Sequence, residues 1–260
     1  MYGYWYSVKE NFKFERKEFY QYLWTSLAYG FVLSFRKWGV DKFDFQSGIS
    51  NFIQAAIVVL LCLFIHISAQ KLVAIKLGYK ASYSYWLNGI LFCMLLTLLT
   101  NGYSGVIGFI LIGAVTMEHI PRLRLGKFRY GTNLKDVARV SLAGPIANVI
   151  TVLVLGTIFF SIGRDDLLFA IIVVNLFLAF YSMLPIPKID IPTRVDSGSN
   201  GLGVFWFSRT LYVLTLATIL IFAILVFISV AQNVWGLFAV AFVIGSMLSI
   251  IYSIALEQKN

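Results

Sequence analysis

Charge is scarce in this chain. Of its 260 residues only 13% are Asp, Glu, Lys or Arg, while 59% are hydrophobic and mean hydropathy is +0.82. So little polar surface excludes a soluble globular protein of this length. Cysteine is scarce too. Cys62 and Cys93 both lie inside apolar runs, which excludes a disulfide framework and a cysteine-type metal site. No short apolar core precedes a small-residue cleavage site in MYGYWYSVKENFKFERKEFY, so no cleavable signal peptide is expected. No polar segment is long enough to form a separate soluble domain. What remains is a series of long apolar runs, the pattern of a polytopic all-α membrane protein of about six to eight spans.

The runs predict a marginal first helix over Tyr20 to Phe35. Strong helices are expected over Phe52–Ala74, Tyr85–Leu99, Val140–Ile162, Leu167–Leu184, Leu211–Val230 and Gly236–Ile254. The glycine-rich stretch from Gly102 to Thr116 is expected to enter the membrane as a short span or a re-entrant hairpin, covered by protein or lining a cavity. Net charge is +9, an excess that reads as positive-inside loops meeting anionic headgroups rather than nucleic-acid binding. Arg122, Arg124, Lys127, Arg129, Lys135 and Arg139 mark one loop as cytoplasmic. Counting outward from it places Lys71, Lys76 and Lys80, the loop Lys188–Gly203 and both termini in the cytoplasm, and Arg164-Asp165-Asp166 outside. The expected location is the cell membrane.

His66 and Gln70 stand four residues apart in the apolar run LCLFIHISAQKLVAIKLGYKA, so they share a helical face. A zinc-protease helix of the form H-E-x-x-H uses the same spacing, with two imidazoles on the metal and glutamate as general base. Here the five residues are His66-Ile67-Ser68-Ala69-Gln70. Ile67 cannot accept a proton, and the Gln70 amide is a poor zinc ligand beside imidazole. Glu118 and His119 are adjacent and diverge on a helix, so they read as an interfacial helix end.

The stretch FIHISAQKLVAIKLGYKA resembles the signature helix of the site-2 protease family of intramembrane zinc metalloproteases, with Lys71-Leu72-Val73-Ala74 and Leu77-Gly78 following the family pattern. VSLAGPIANVI resembles the family's A-G-P-x-x-N helix, with Gly144, Pro145 and Asn148 in place. MLPIPKID resembles the segment that carries the third zinc ligand, an aspartate. That ligand falls on Asp190 in the simplest alignment. It falls on Asn200 if about ten residues are inserted, and Gly201, Val204, Phe205 and Arg209 then match as well. Asn200 is favoured, and Asp196 is a weaker third position.

The resemblance implies a site-2 protease-like helix bundle. Residues 1–50 would form an N-terminal cytoplasmic segment plus the weak first helix, 51–212 the core, and 213–260 the C-terminal helices. It implies vestigial catalytic positions at His66, Ile67, Gln70 and Asn200, with no metal and no cofactor. It also implies a peptide-binding or helix-packing role for Gly144, Pro145 and Asn148. Losing a general base costs about 10²–10⁴-fold in rate, and losing two of three ligands removes the Lewis acid. The expectation is a pseudo-protease that binds or scaffolds transmembrane or membrane-associated protein partners in the lipid bilayer. Two alternatives stay open. One is an active metalloprotease whose zinc site is rebuilt from His66, His119 and Asp190 or Asp196. The other is a structural subunit of a larger membrane complex. Charged residues are too rare in mid-span to favour a transporter.

Overall fold

The computed structural model describes residues 3–39, 42–103, 107, 113–120, 132–163, 165–187, 199–228 and 233–257. The expected sites Asp190 and Asp196, the basic cluster Arg122–Arg129 and most of the Gly102–Thr116 stretch lie outside the described residues. The chain forms two compact units, Met1–Gly131 and Thr132–Asn260.

The first unit opens with a short helix α1 (Tyr4–Asn11) and continues into α2 (Arg16–Ser34). Helix α3 (Phe45–Lys76) is 32 residues long, about 48 Å at 1.5 Å per residue, so it exceeds the hydrocarbon thickness of a bilayer. It starts seven residues before the apolar run because Asp44 caps it, accepting from the backbone N–H groups of Gln46 and Ser47. Helix α2 runs antiparallel beside it. Lys71 meets Glu18 near one end of the pair and Gly30 meets Ala56 further along. A Cβ on Gly30 would stand 2.7 Å from the Ala56 Cα, and the small residues Ser26, Gly30 and Ser34 lie one turn apart, a spacing that lets membrane helices approach closely.

Strand β1 (Tyr79–Tyr85) follows α3, and α4 (Leu87–Leu99) follows the strand. Strand β2 (Gly113–His119) returns to pair antiparallel with β1, Tyr79 opposite His119 and Tyr85 opposite Gly113. The expected arrangement read Tyr85 as the start of a membrane helix and Gly113–Thr116 as part of a membrane-entering stretch; the sheet replaces both. Its signal is the strict alternation of Tyr79, Ala81, Tyr83 and Tyr85 with Lys80, Ser82 and Ser84, a period of two that no helix can use. Across the pair the Ser82 and Thr116 hydroxyls stand 3.1 Å apart. The core of this unit gathers Tyr22, Tyr29, Val59, Leu63, Ile67, Tyr79, Tyr83 and Cys93.

Every described element of the second unit is a helix. Helix α5 (Leu134–Ile162) begins six residues before its apolar run, capped by Asn133, and so takes up Lys135 and Arg139 from the basic loop. Helix α6 (Asp166–Ser182) is capped by Asp165, which accepts from the Leu167 and Leu168 N–H groups. A short helix α7 (Asn200–Phe207), absent from the expected spans, leads into α8 (Arg209–Ile228), and α9 (Val234–Tyr252) packs back on α8. Val152, Leu153, Leu176, Ala179, Val204, Phe222 and Ala241 form the centre of its core. The outer side of α9 is apolar and exposed at Val240, Phe242, Val243, Met247 and Ile251, as a lipid-facing helix requires.

Among the described residues, four helices are long and apolar enough to cross a membrane: Phe45–Lys76, Leu134–Ile162, Arg209–Ile228 and Val234–Leu256. Leu87–Leu99 and Asp166–Ser182 are apolar but shorter. The protein is a predominantly α-helical membrane protein.

Candidate functional site

The residues of the family-like motifs divide between the two units, and each group has its own geometry.

In the first unit, His66, Ile67 and Gln70 are all buried on α3. The helix therefore presents the spacing expected of a metal helix. The donor set does not fit the zinc of that family, because one imidazole stands with an alkyl group and an amide where imidazole and carboxylate are needed. Among the described residues no group of three His, Cys, Asp or Glu side chains is placed to hold a metal ion. His119 and Glu118 lie on a strand rather than a helix end. Alternation sends them to opposite faces. The His119 ring packs on Tyr79 with centroids 4.7 Å apart, while Glu118 is exposed opposite Lys80.

The buried charge in this unit is one residue along from Gln70. Lys71 donates to Glu18 Oε2 at 2.7 Å and to the Lys13 carbonyl at 3.0 Å, and its ammonium sits 4.4 Å from the centre of the Phe14 ring. Glu18 Oε1 accepts from the Tyr83 N–H at 2.8 Å. That N–H lies on the edge of β1 away from β2, so the carboxylate satisfies a strand edge that membrane or protein interior would otherwise leave exposed. The Tyr83 hydroxyl stands 3.2 Å from that of Thr25, and its ring packs on Tyr22 at 5.0 Å. Next to this cluster Lys80 pairs with Glu15 at 2.5 Å on the surface. The hydrogen bond from Lys80, and its charge, hold the Glu15 carboxyl below its usual range, and the same bond raises the Lys80 ammonium. The topological reading of Lys71 as a cation on the cytoplasmic side misses this partner. The available signal was a lysine inside an apolar run, which needs a counter-charge.

In the second unit, Gly144 and Pro145 lie together on α5, one turn before Asn148, which is fully buried. Pro145 lacks the N–H that would reach back to the Ser141 carbonyl, which loosens the helix there. Helix α7 lies against α5: a Cβ on Gly203 would meet Ser141 Oγ at 2.8 Å and Val137 Cγ1 at 2.9 Å. Asn200 is the first residue of α7. The preceding Ser199 caps it by accepting from the Leu202 N–H at 3.4 Å. The same hydroxyl donates to the Leu184 carbonyl and accepts from the Ile186 N–H at 2.9 Å, and the Ser199 N–H reaches the Ile186 carbonyl at 3.0 Å. Leu184-Pro185-Ile186 and Ser199-Asn200-Gly201 are thus joined directly. Gly201 is required at this junction, because a side-chain carbon there would fall on the Met183 carbonyl.

Comparison of the chain with protein-family models, curated proteins and solved structures returns no match.

Proposed function

We propose that this membrane protein is a catalytically inactive relative of the site-2 proteases that binds or scaffolds other membrane proteins. The observation that carries this reading is the side-chain set on α3: His66, Ile67 and Gln70 buried together in the frame of a metal helix whose base and second imidazole are replaced. The clamp at Ser199 supports the alignment that puts Asn200 at the aspartate position. It brings the Leu-Pro-Ile segment against Asn200-Gly201, as expected if the intervening residues are an insertion into a shorter family segment. Asn148, fully buried on α5, keeps a polar group where the family contacts its substrate. Without a base or a metal such a scaffold grips a peptide or helix and leaves it whole.

The test is reconstruction. Ile67→Glu and Gln70→His together restore the base and the second imidazole on α3. The double variant purified in detergent is expected to hold chelator-sensitive zinc on its two imidazoles, with wild-type protein holding none and leaving a co-reconstituted single-pass helical peptide bound and uncut. Zinc in the wild type that is lost on His66→Ala, or peptide hydrolysis stopped by chelation, overturns the inactive reading. Absence of zinc in a folded double variant overturns the reading of α3 as a metal helix.

A further inference from the structure

Helix α2 is not among the helices apolar enough to cross a membrane by composition, because Glu18, Gln21, Thr25, Ser26 and Ser34 dilute it. Its polarity is inverted relative to a helix of a water-soluble protein. The polar side chains face inward: Glu18 is 4% exposed, Thr25 0%, Ser26 2% and Ser34 0%. The outward side is apolar and aromatic, with Phe19 56% exposed, Leu23 38% and Trp24 64%, joined by Tyr20. In water such a helix would expose its oily side and hide its polar one, the reverse of the arrangement that burial energetics favour. In hydrocarbon the arrangement is the stable one, since each polar group finds a protein partner and only apolar atoms meet lipid. The inner groups do find partners: Glu18 pairs with Lys71 and Tyr83, Thr25 bonds the Gln21 carbonyl, Ser26 the Tyr22 carbonyl and Ser34 the Phe31 carbonyl.

The ends of the helix point the same way. Arg16 and Lys17 are exposed at its start, Arg36 and Lys37 are exposed just past its end, and no exposed charge lies between them. The residues between the two basic pairs, 18–35, span about 27 Å as a helix, close to the roughly 30 Å of a hydrocarbon core. Beyond the far end the Arg36 guanidinium lies 4.0 Å from the ring centre of Tyr103 and donates to its hydroxyl, an aromatic and cationic pairing of the kind found at headgroup level. The neighbour α3 is itself a candidate span, and α2 follows it antiparallel from the level of Lys71 past that of Ala56.

We propose that residues 18–35 cross the bilayer as a further span. Its Phe19–Leu23–Trp24 face is covered by lipid acyl chains, and its two basic ends sit among the headgroup phosphates. The inference rests on the polarity of α2 alone and holds whether or not the protein is a protease relative. The full chain is reconstituted in sealed vesicles, oriented and inverted, and cysteines are introduced singly at Lys17, Trp24 and Gln46. The wild type, with its buried Cys62 and Cys93, gives the background. With a membrane-impermeant maleimide, Lys17→Cys and Gln46→Cys are expected to react from opposite sides, and Trp24→Cys at least about tenfold more slowly than either. Brominated acyl chains are expected to quench wild-type tryptophan emission more than that of Trp24→Phe. Labelling of Lys17→Cys and Gln46→Cys from the same side overturns the crossing. So does Trp24→Cys reacting as fast as Lys17→Cys. Disulfide linkage of Trp24→Cys between chains, with no bromolipid quenching assigned to Trp24, shows a second copy on this face and overturns the lipid contact.

Discussion

The Lys71 ammonium lies 2.7 Å from the Glu18 carboxylate with both side chains 4% exposed, and the pair ties the start of α2 to the end of α3 and to the edge of β1. Every strong acceptor and donor of the pair is used. Glu18 takes the Tyr83 N–H on its second oxygen, and Lys71 adds the Lys13 carbonyl and the face of Phe14. A buried ion pair is expensive to desolvate, and removing one partner strands the other. Glu18→Gln and Lys71→Met are each expected to destabilise the protein by about 3–5 kcal/mol. The combined Glu18→Gln/Lys71→Met variant is expected to lose less than the sum of the two, because no charge is left buried. Thermal unfolding in a fixed detergent, followed by loss of the monodisperse peak, measures this. Additive losses would show that the two groups do not act as a pair.

The neighbouring surface pair gives a pH dependence. Glu15 is held below its usual range by Lys80, so its contribution is complete above the ordinary carboxylate range and fades as pH falls through the lowered value. Lys80 is raised by Glu15, so its contribution is complete below the ordinary lysine range and fades as pH rises through the raised value. The wild type is therefore expected to exceed Glu15→Gln in stability by a small, salt-sensitive margin across neutral pH, and the gap is expected to close at both extremes. Paired melting curves at low and high salt check the sign. A gap that widens in acid would contradict the pairing.

At the α6–α7 junction one hydroxyl serves Leu184, Ile186 and Leu202 together. Ser199→Ala is expected to cost about 1–2 kcal/mol, the upper end for a helix cap. Gly201→Ala is expected to cost about 1–3 kcal/mol, because its new carbon meets backbone that cannot rotate away. Asn200→Asp, whose side chain is isosteric with the native amide, serves as the control and is expected to fold. Limited proteolysis between 187 and 199 reads the same clamp: cleavage is expected to accelerate in Ser199→Ala.

The long apolar runs were legible because hydrophobicity sustained over twenty residues admits little but a membrane helix. α3, α5, α8 and α9 match their expected centres, and their ends differ where Asp44, Asn133 and Asn233 extend or start the helix beyond the apolar run. The common face of His66 and Gln70 was legible from spacing alone. The sheet was overlooked because its alternation sits between two apolar runs and includes few strongly hydrophobic residues. Helix α7 was overlooked because Asn200-Gly201-Leu202-Gly203 is a poor helix former in isolation, held instead by the Ser199 cap and contact with α5. The Glu18 partner of Lys71 could not be read from spacing, because 53 residues separate them and only the fold brings them together.

Close approach of α2 and α3 makes a last prediction about the first unit. Gly30 faces Ala56 with no room for a side chain, a Cβ lying 2.7 Å from both its Cα and Cβ. Overpacking a tight helix contact costs about 1–3 kcal/mol and forces the helices apart. Gly30→Leu is therefore expected to weaken the unit and also to lengthen the Glu18–Lys71 contact, since both lie on the α2–α3 seam. Leu23→Ile, on the exposed side of the same helix, is expected to change stability by less than about 0.5 kcal/mol. Melting curves of Gly30→Leu, Lys71→Met and their combination separate the effects. If α2 is displaced along its length, the second substitution adds little to the first. Full additivity would mean that Gly30 acts locally and that the seam does not move as one body.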